Sequence, residues 1–140
     1  MNKLIKYIII FILFSLFGWT YENILLNKKS QDTTLTEIIG INAPFLLIYG
    51  VGGILIFYTY SNFPHMKLLS KIIIASILIN SVECISGKLS YYIRGYHTWN
   101  YNKCFYPLCD GYISLFTIIL WTLMITMILL IFSYLDKKNK

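Results

Sequence analysis

The stretch that decides the fold is Asn80-SVECISGKLSYYIRGYHTWN-Tyr101, which closes an apolar run beginning at Leu68. It carries side chains that hydrocarbon penalises, namely Asn80, Glu83, Lys88 and Arg94. One charged group at the centre of a membrane-spanning helix costs roughly 2.5 to 3.5 kcal/mol. We therefore expect these side chains to face protein or water rather than lipid.

These polar residues share one face of a helix, because they recur at steps of three or four residues. The face, which we call the polar face of the third span, consists of Ser76, Asn80, Glu83, Gly87, Tyr91 and Arg94. It is the predicted working surface of the protein, but its residue types name no substrate.

The composition indicates a single integral membrane domain over residues 1–140. Hydrophobic residues make up 57% of the chain and charged residues only 13%, which is too apolar for an ordinary soluble domain. The net charge of +6 does not indicate a nucleic-acid partner, because Lys and Arg lie at the ends of apolar runs, as they do beside a lipid bilayer. Aromatic residues, 17% of the chain, fit the belts at membrane interfaces.

The apolar runs predict an all-α membrane protein with four transmembrane helices. The expected spans cover about residues 4–26, 41–60, 68–92 and 111–134. Pro44 is expected to open the second span, and a short interfacial helix is expected over residues 34–39. The first run is longer than the apolar region of a signal peptide and no small-residue cleavage site follows it, so we expect it to stay as an anchor in the cell membrane.

Four spans place both termini on the same side of the membrane. Seven of the 12 Lys and Arg residues lie on that side and five on the other, which favours cytoplasmic termini by the positive-inside rule. Residues 95–110 then form the longest loop, on the outer side. The triplet Trp99-Asn100-Tyr101 in this loop can pack back over the helix ends, which predicts a lid rather than a flexible linker.

The sequence lacks the local signatures of common cofactor and catalytic sites. It has no phosphate-binding loop, no dinucleotide fingerprint, no helical pair of zinc-binding histidines and no serine-nucleophile elbow. The two histidines, His65 and His97, are expected on opposite sides of the membrane. We therefore predict no cofactor, no metal and no enzyme activity, and ATP-driven work would need a separate ATPase subunit.

The cysteines leave the disulfide question open. Cys104 and Cys109 lie in the outer loop, where an oxidising compartment permits a disulfide between them. Two free thiols are the favoured interpretation. Cys84 lies within the third span and is not paired by this argument.

Two carboxylates at membrane depth form the sharpest site hypothesis. Glu22 follows Trp19 on a small and polar face of the first span, and from the cytoplasmic ends Glu22 and Glu83 rise about 27 and about 23 Å. We expect the carboxylates to approach each other and to share a proton, bind a cation or take Lys88 or Arg94 as a counter-ion. The alternatives are that Glu22 reaches outward to water and that the polar groups only hold two helices in register.

Five motifs, in order along about residues 11–124, resemble a known family. They are Gly18-Trp19-Thr-Tyr-Glu22, Pro44-Phe-Leu-Leu-Ile48-Tyr49-Gly50-Val-Gly52, Glu83-Cys-Ile-Ser-Gly87, Trp99-Asn100-Tyr101 and Gly111-Tyr-Ile with Trp121. The chain resembles the CmpB-like ABC-transporter type IV family of small bacterial membrane proteins, which has eukaryotic transmembrane relatives. The resemblance implies a permease-like membrane protein of undefined substrate. This chain departs from the family pattern at Asn42-Ala43, where Asn-Arg-Gly is usual, and the missing Arg removes a partner for a carboxylate.

We expect a transporter component or permease-like protein that acts as a homo-oligomer or within a larger membrane complex. Four spans seldom enclose a path alone, and secondary transporters build their sites between repeats. A non-transporting membrane scaffold or assembly factor is the main alternative, and a membrane enzyme is the third. The candidate binding residues are Trp19, Glu22, Tyr49, Asn80, Glu83, Lys88, Arg94, Trp99, Asn100 and Tyr101.

Overall fold

The computed structural model describes residues 2–32 and 34–138. Within these residues the chain forms four α-helices, α1 (Lys3–Thr20), α2 (Leu47–Asn62), α3 (Leu68–Arg94) and α4 (Leu115–Lys138). The chain divides into two compact units, Met1–Phe57 and Tyr58–Lys140. The fold is predominantly helical, as the sequence predicts.

Three helical segments are long and apolar enough to cross a membrane, namely Lys3–Leu25, Leu68–Arg94 and Leu115–Lys138, with mean hydropathies of 1.8, 1.9 and 2.7. Helix α2 has only 16 residues, which give about 24 Å at 1.5 Å per residue. The hydrocarbon core of a bilayer is about 30 Å thick. The fourth span therefore stays a prediction.

Helix α1 begins at an Asn2 cap, whose side chain accepts a hydrogen bond from the backbone N–H of Leu4 at 3.2 Å. Beyond Thr20 the helix widens into the π-helical turn Tyr21–Leu25, which carries Glu22. The chain then turns back, because the backbone N–H of Lys28 donates to the carbonyl of Glu22 at 2.9 Å. The continuous helical segment ends close to the predicted residue 26.

Asp32 organises the segment between α1 and α2. Its Oδ1 accepts from the backbone N–H of Leu35 at 3.0 Å, and its Oδ2 accepts from that of Leu47 at 2.7 Å. The first bond caps a short π-helical segment, Thr34–Ile39, where the sequence predicts a short helix. The second caps α2 from a residue 15 positions earlier. A carboxylate at a helix N-terminus is stabilising because it complements both the free N–H groups and the helix dipole.

The prediction that Pro44 opens the second helix is wrong, because α2 begins at Leu47. The backbone N–H of Phe45 donates to the carbonyl of Ala43 at 2.7 Å, and that of Leu46 donates to the carbonyl of Ser15 in α1 at 3.1 Å. These bonds hold residues 44–46 outside the helix.

Within the first unit, α1 and α2 pack closely where glycines remove side chains. A Cβ at Gly18 would overlap the ring of Tyr49, and a Cβ at Gly50 would overlap Ser15 Oγ and the ring of Phe11. Ser15 is fully buried. Small residues let helices approach in this way in lipid, where association depends on packing.

In the second unit, α3 packs antiparallel to α4, since positions later in α3 meet positions earlier in the following chain: Ser76 meets Thr122, Glu83 meets Trp121 and Gly87 meets Tyr112. The buried positions of each helix recur at helical spacing, as expected for one packed face. On α3 they are Lys71, Ala75, Ile79, Asn80, Glu83 and Gly87. On α4 they are Thr117, Trp121, Ile125 and Leu129.

The connecting loop, residues 95–114, contains regular secondary structure. Strands β1 (Pro107–Leu108) and β2 (Ile113–Ser114) pair antiparallel around a 3₁₀ turn, Cys109–Gly111. Because these elements occupy residues 107–114, α4 begins at Leu115 and not at the predicted residue 111. Helix α3 runs to Arg94, slightly beyond the predicted residue 92.

The close packing of α1 on α2 predicts that Gly50→Val destabilises the protein, by roughly 1 to 3 kcal/mol for overpacking. The added methyl groups would have to displace Ser15 and Phe11. Thermal unfolding of purified protein in detergent measures the effect. The control is Leu13→Val, because Leu13 is 56% exposed. Equal stability of the two variants would contradict the packing.

Candidate functional site

The centre of the candidate site is a carboxylate buried between α3 and α4. Glu83 is 6% exposed, and its Oε1 accepts a hydrogen bond from Trp121 Nε1 at 3.0 Å. Trp121 is equally buried. A buried carboxylate is costly unless hydrogen bonds stabilise its charge, and bonds to an ionised acceptor are roughly twice as strong as neutral ones.

The polar groups continue along the same helix face toward the N-terminal end of α3. Asn80 Nδ2 donates to the carbonyl of Ser76 at 2.7 Å, and Ser76 Oγ lies 2.9 Å from Thr122 Oγ1 of α4. Asn80 Oδ1 is buried and has no hydrogen-bond partner within residues 2–32 and 34–138. We call this set the polar seam, consisting of Ser76, Asn80, Glu83, Trp121 and Thr122.

The polar face predicted from spacing is therefore confirmed in its central part, where Asn80, Glu83 and Gly87 are buried. Its C-terminal part differs, because Tyr91 is 47% exposed. Arg94 lies beyond the seam, and its Nη1 donates to Ser90 Oγ at 2.5 Å. A helical period predicts which residues share a face, but not where along its length the face stays covered.

Lys88 has a different carboxylate from the one expected of it. Its Nζ lies 2.9 Å from Asp110 Oδ2 in the connecting loop, and the two side chains are 53% and 74% exposed. An exposed pair of this kind contributes about 0 to 1 kcal/mol. Lys88 therefore forms an exposed ion pair with the loop and is not the counter-ion of a buried carboxylate.

The favoured expectation of free thiols at Cys104 and Cys109 is wrong for Cys109. A disulfide joins Cys109 to Cys84 in α3, with their Cα atoms 6.0 Å apart, and Cys104 is free. The only disulfide considered from the sequence was between Cys104 and Cys109, which lie close in the chain, whereas this bond joins residues 25 positions apart. The bond fixes the 3₁₀ turn to α3, one residue after Glu83.

The triplet Trp99-Asn100-Tyr101 forms hydrogen bonds within the connecting loop. Trp99 Nε1 donates to the carbonyl of Tyr112 at 3.1 Å, and the backbone N–H of Tyr101 donates to the carbonyl of Gly111 at 2.7 Å. Asn100 Oδ1 accepts from the backbone N–H of Asn102 at 2.7 Å. The loop is ordered by these bonds, and its action as a lid stays a prediction.

Aromatic rings connect the same loop to the end of α3. The ring of His97 stacks on that of Tyr112 at 5.0 Å between centroids and lies 4.8 Å from that of Tyr91. Tyr112 is 2% exposed. Gly87 has no side chain and leaves the space that the Tyr112 ring occupies. The loop therefore packs on α3 one helical turn after Glu83.

In the first unit, Glu22 has a partner in α2. It is half-buried and its Oε1 accepts from Tyr49 Oη at 2.9 Å. This contact joins two of the predicted site residues. The predicted approach of Glu22 to Glu83 stays a prediction, since the two residues belong to different compact units.

Trp19 lies beside an open cavity in the first unit. The cavity has a volume of about 430 Å³, and its lining residues are Trp19, Asn23, Lys29, Ser30, Gln31, Asn42, Ala43 and Pro44. Apart from Trp19, the sequence argument singled out none of them as a site residue. In the sequence, the only feature that points to this cavity is the group of amide and hydroxyl residues Asn23, Ser30, Gln31 and Asn42 around the polar interval.

A second cluster missed by the sequence argument lies at the other end of α3 and α4. Tyr60 Oη donates to Asp136 Oδ2 at 2.5 Å, and Lys71 Nζ lies 5.0 Å from the centre of the Tyr60 ring. Lys71 is 8% exposed. These charges looked like membrane flanks in the sequence, because no periodicity connects residues 60, 71 and 136.

A polar seam buried between long apolar helices is typical of a helical membrane protein. Residues 9–138 match the model of the family described as "Putative ABC-transporter type IV", and the chain belongs to this family. The resemblance drawn from the five motifs is thereby confirmed. No curated protein and no solved structure matches the chain.

Proposed function

We propose that this protein is a multi-pass, permease-like component of a transport system in the cell membrane, with the polar seam as its solute or ion contact. The observation that carries the proposal is the buried carboxylate of Glu83 and its hydrogen bond to Trp121. Family membership supports a transporter context. The substrate is not part of the proposal.

Stability alone does not favour a buried glutamate at position 83. Replacing buried ionic groups by apolar residues of similar volume is often neutral or stabilising, and α3 already packs on α4 through apolar residues such as Ile79 and Ile125. Ionisable groups inside membrane helices therefore indicate solute, ion or proton contacts. Glu83 and the carbonyl oxygen of Asn80 offer the oxygen atoms that bind a proton or a small cation.

The energy source and the remaining walls of a path would come from partners. The sequence contains no phosphate-binding loop, so ATP-driven transport requires a separate ATPase subunit. Few helices are available to enclose a path, so we propose a homo-oligomer or a larger membrane complex. We assign the protein no catalytic reaction of its own.

We propose four spans with both termini in the cytoplasm. Disulfides persist in oxidising compartments, so the Cys84–Cys109 bond supports an outer position for the connecting loop. The N-terminal end of α3 and the C-terminal end of α4 then lie on the cytoplasmic side. Helix α2 can complete a crossing with the residues from 41 that precede it.

A scaffold or assembly factor is the alternative function. The bonds Ser76–Thr122 and Glu83–Trp121 join α3 to α4, and hydrogen bonds between helices in lipid contribute about 0.6 kcal/mol on average. In that case the polar seam would need side chains that hydrogen-bond between the helices, but it would not need a charged group. This difference separates the two functions experimentally.

Labelling with a membrane-impermeant maleimide tests the topology. In intact cells we expect Cys104 to react without reductant, Cys109 to react only after reduction, and a cysteine added after Lys140 to remain unlabelled. Cys104→Ser is the control, because it should abolish labelling before reduction. Reaction of the added cysteine in intact cells would contradict cytoplasmic termini.

Glu83→Gln tests the function, because glutamine keeps an oxygen that can accept from Trp121 Nε1 but carries no charge. Cells that produce this variant should show the same altered concentrations of small molecules, inside and in the medium, as cells that lack the protein. The matched control is Glu37→Gln, an exposed position, which should restore the wild-type profile. Full restoration by Glu83→Gln, at an equal amount of protein in the membrane, would favour the scaffold.

A further inference from the structure

The cavity beside Trp19 is large enough to bind a small ligand. Its volume of about 430 Å³ falls within the range of about 300 to 1,000 Å³ typical of ligand pockets. It lies wholly in the first unit, and the polar seam contributes none of its lining residues. Its ligand therefore does not depend on the role proposed for Glu83, whereas its place in the outer leaflet rests on the topology proposed above.

The walls of the cavity are fixed by hydrogen bonds within the unit. Asn23 Nδ2 donates to the carbonyl of Trp19 at 3.1 Å and to that of Ser30 at 2.9 Å, which ties the helical wall to the loop wall. Asp32 anchors the same loop to the N-terminus of α2 through Leu47. A cavity whose walls are held in this way needs little reorganisation when a ligand binds.

The length of α1 up to Trp19 favours a position for the cavity near the lipid headgroups. Trp19 follows Lys3 along α1 by about 24 Å at 1.5 Å per residue, close to the roughly 30 Å thickness of the hydrocarbon core. Tryptophan is enriched at membrane interfaces. Leu13 and Phe17, further down α1, are exposed and apolar, as lipid-facing residues are.

The chemistry of the lining favours an anion with hydroxyl groups. Lys29 is the one lining residue that carries a charge, and Asn42 and Gln31 supply amide donors and acceptors. The carboxylates of Glu22 and Asp32 are not among the lining residues, and they accept hydrogen bonds from Tyr49 and from two backbone N–H groups. The indole ring of Trp19 offers an apolar surface for the glycerol and ester region of a lipid.

We propose that this cavity binds the headgroup of an anionic phospholipid of the outer leaflet, with Lys29 at the phosphate and the side-chain amides at headgroup hydroxyls. A soluble phosphate ester shares the same phosphate chemistry. The position at the membrane interface favours the lipid, and the two sources give different results when they compete.

The test uses the purified full-length chain in neutral detergent, with dioleoyl phosphatidylglycerol and dioleoyl phosphatidylcholine as probes. Native mass spectrometry measures the fraction of protein that retains each lipid. We expect preferential retention of phosphatidylglycerol. Lys29→Gln should weaken its binding about fivefold, since one lysine near an anionic surface contributes about 1 kcal/mol. The matched control is Lys28→Gln, an exposed neighbour outside the cavity, which should bind like wild type.

Three results would overturn the proposal: equal retention of the two lipids, equal weakening by Lys28→Gln and Lys29→Gln, or displacement of phosphatidylglycerol by an equal concentration of glycerol phosphate. The last result would assign the cavity to a soluble phosphate ester. Lys29→Arg keeps the charge and should retain the lipid, so that loss of binding in Lys29→Gln cannot be ascribed to misfolding when both variants have the wild-type melting temperature.

Discussion

The hydrogen bond from Trp121 Nε1 to Glu83 Oε1 is the interaction on which the second unit depends. It stabilises a carboxylate that is only 6% exposed, and it fixes the register of α3 against α4. Once this register is set, Ser76 meets Thr122 and the ring of Tyr112 enters the space left by Gly87. The Cys84–Cys109 disulfide then holds the connecting loop next to the carboxylate. The burial of a polar group and the packing of two helices thus depend on the same contact.

The first unit depends on a different carboxylate, Asp32, which is outside the helices. By capping both Thr34–Ile39 and α2, it converts a polar interval into a folded lobe. Its energetic role is that of an ordinary cap, worth roughly 0.5 to 2 kcal/mol. Its structural effect is larger, because the lobe forms one wall of the cavity beside Trp19. The two units thus fix their polar residues by different means, an interhelical bond in one and a capped loop in the other.

The sequence predicted those features that depend on local periodicity. The helical character, the long apolar segments and the central polar face of α3 follow from the positions of apolar and polar residues within one helix, where the backbone geometry fixes the spacing. Glu83 and Asn80 could be placed on a buried face for this reason. Family membership could also be predicted, because short motifs in order carry it.

The partners of these residues could not be predicted, because they depend on contacts between segments. Trp121 lies 38 positions after Glu83, and Cys109 lies 25 positions after Cys84. Local rules even gave the wrong answer at Pro44, where hydrogen bonds to Ser15 and Asp32 override the usual helix start. The most direct test of the Glu83–Trp121 bond is a double-mutant cycle of unfolding free energies with Glu83→Met and Trp121→Phe in detergent. The bond predicts that Trp121→Phe costs about 1 kcal/mol more when Glu83 is present than in the Glu83→Met background. An equal cost in both backgrounds would contradict it.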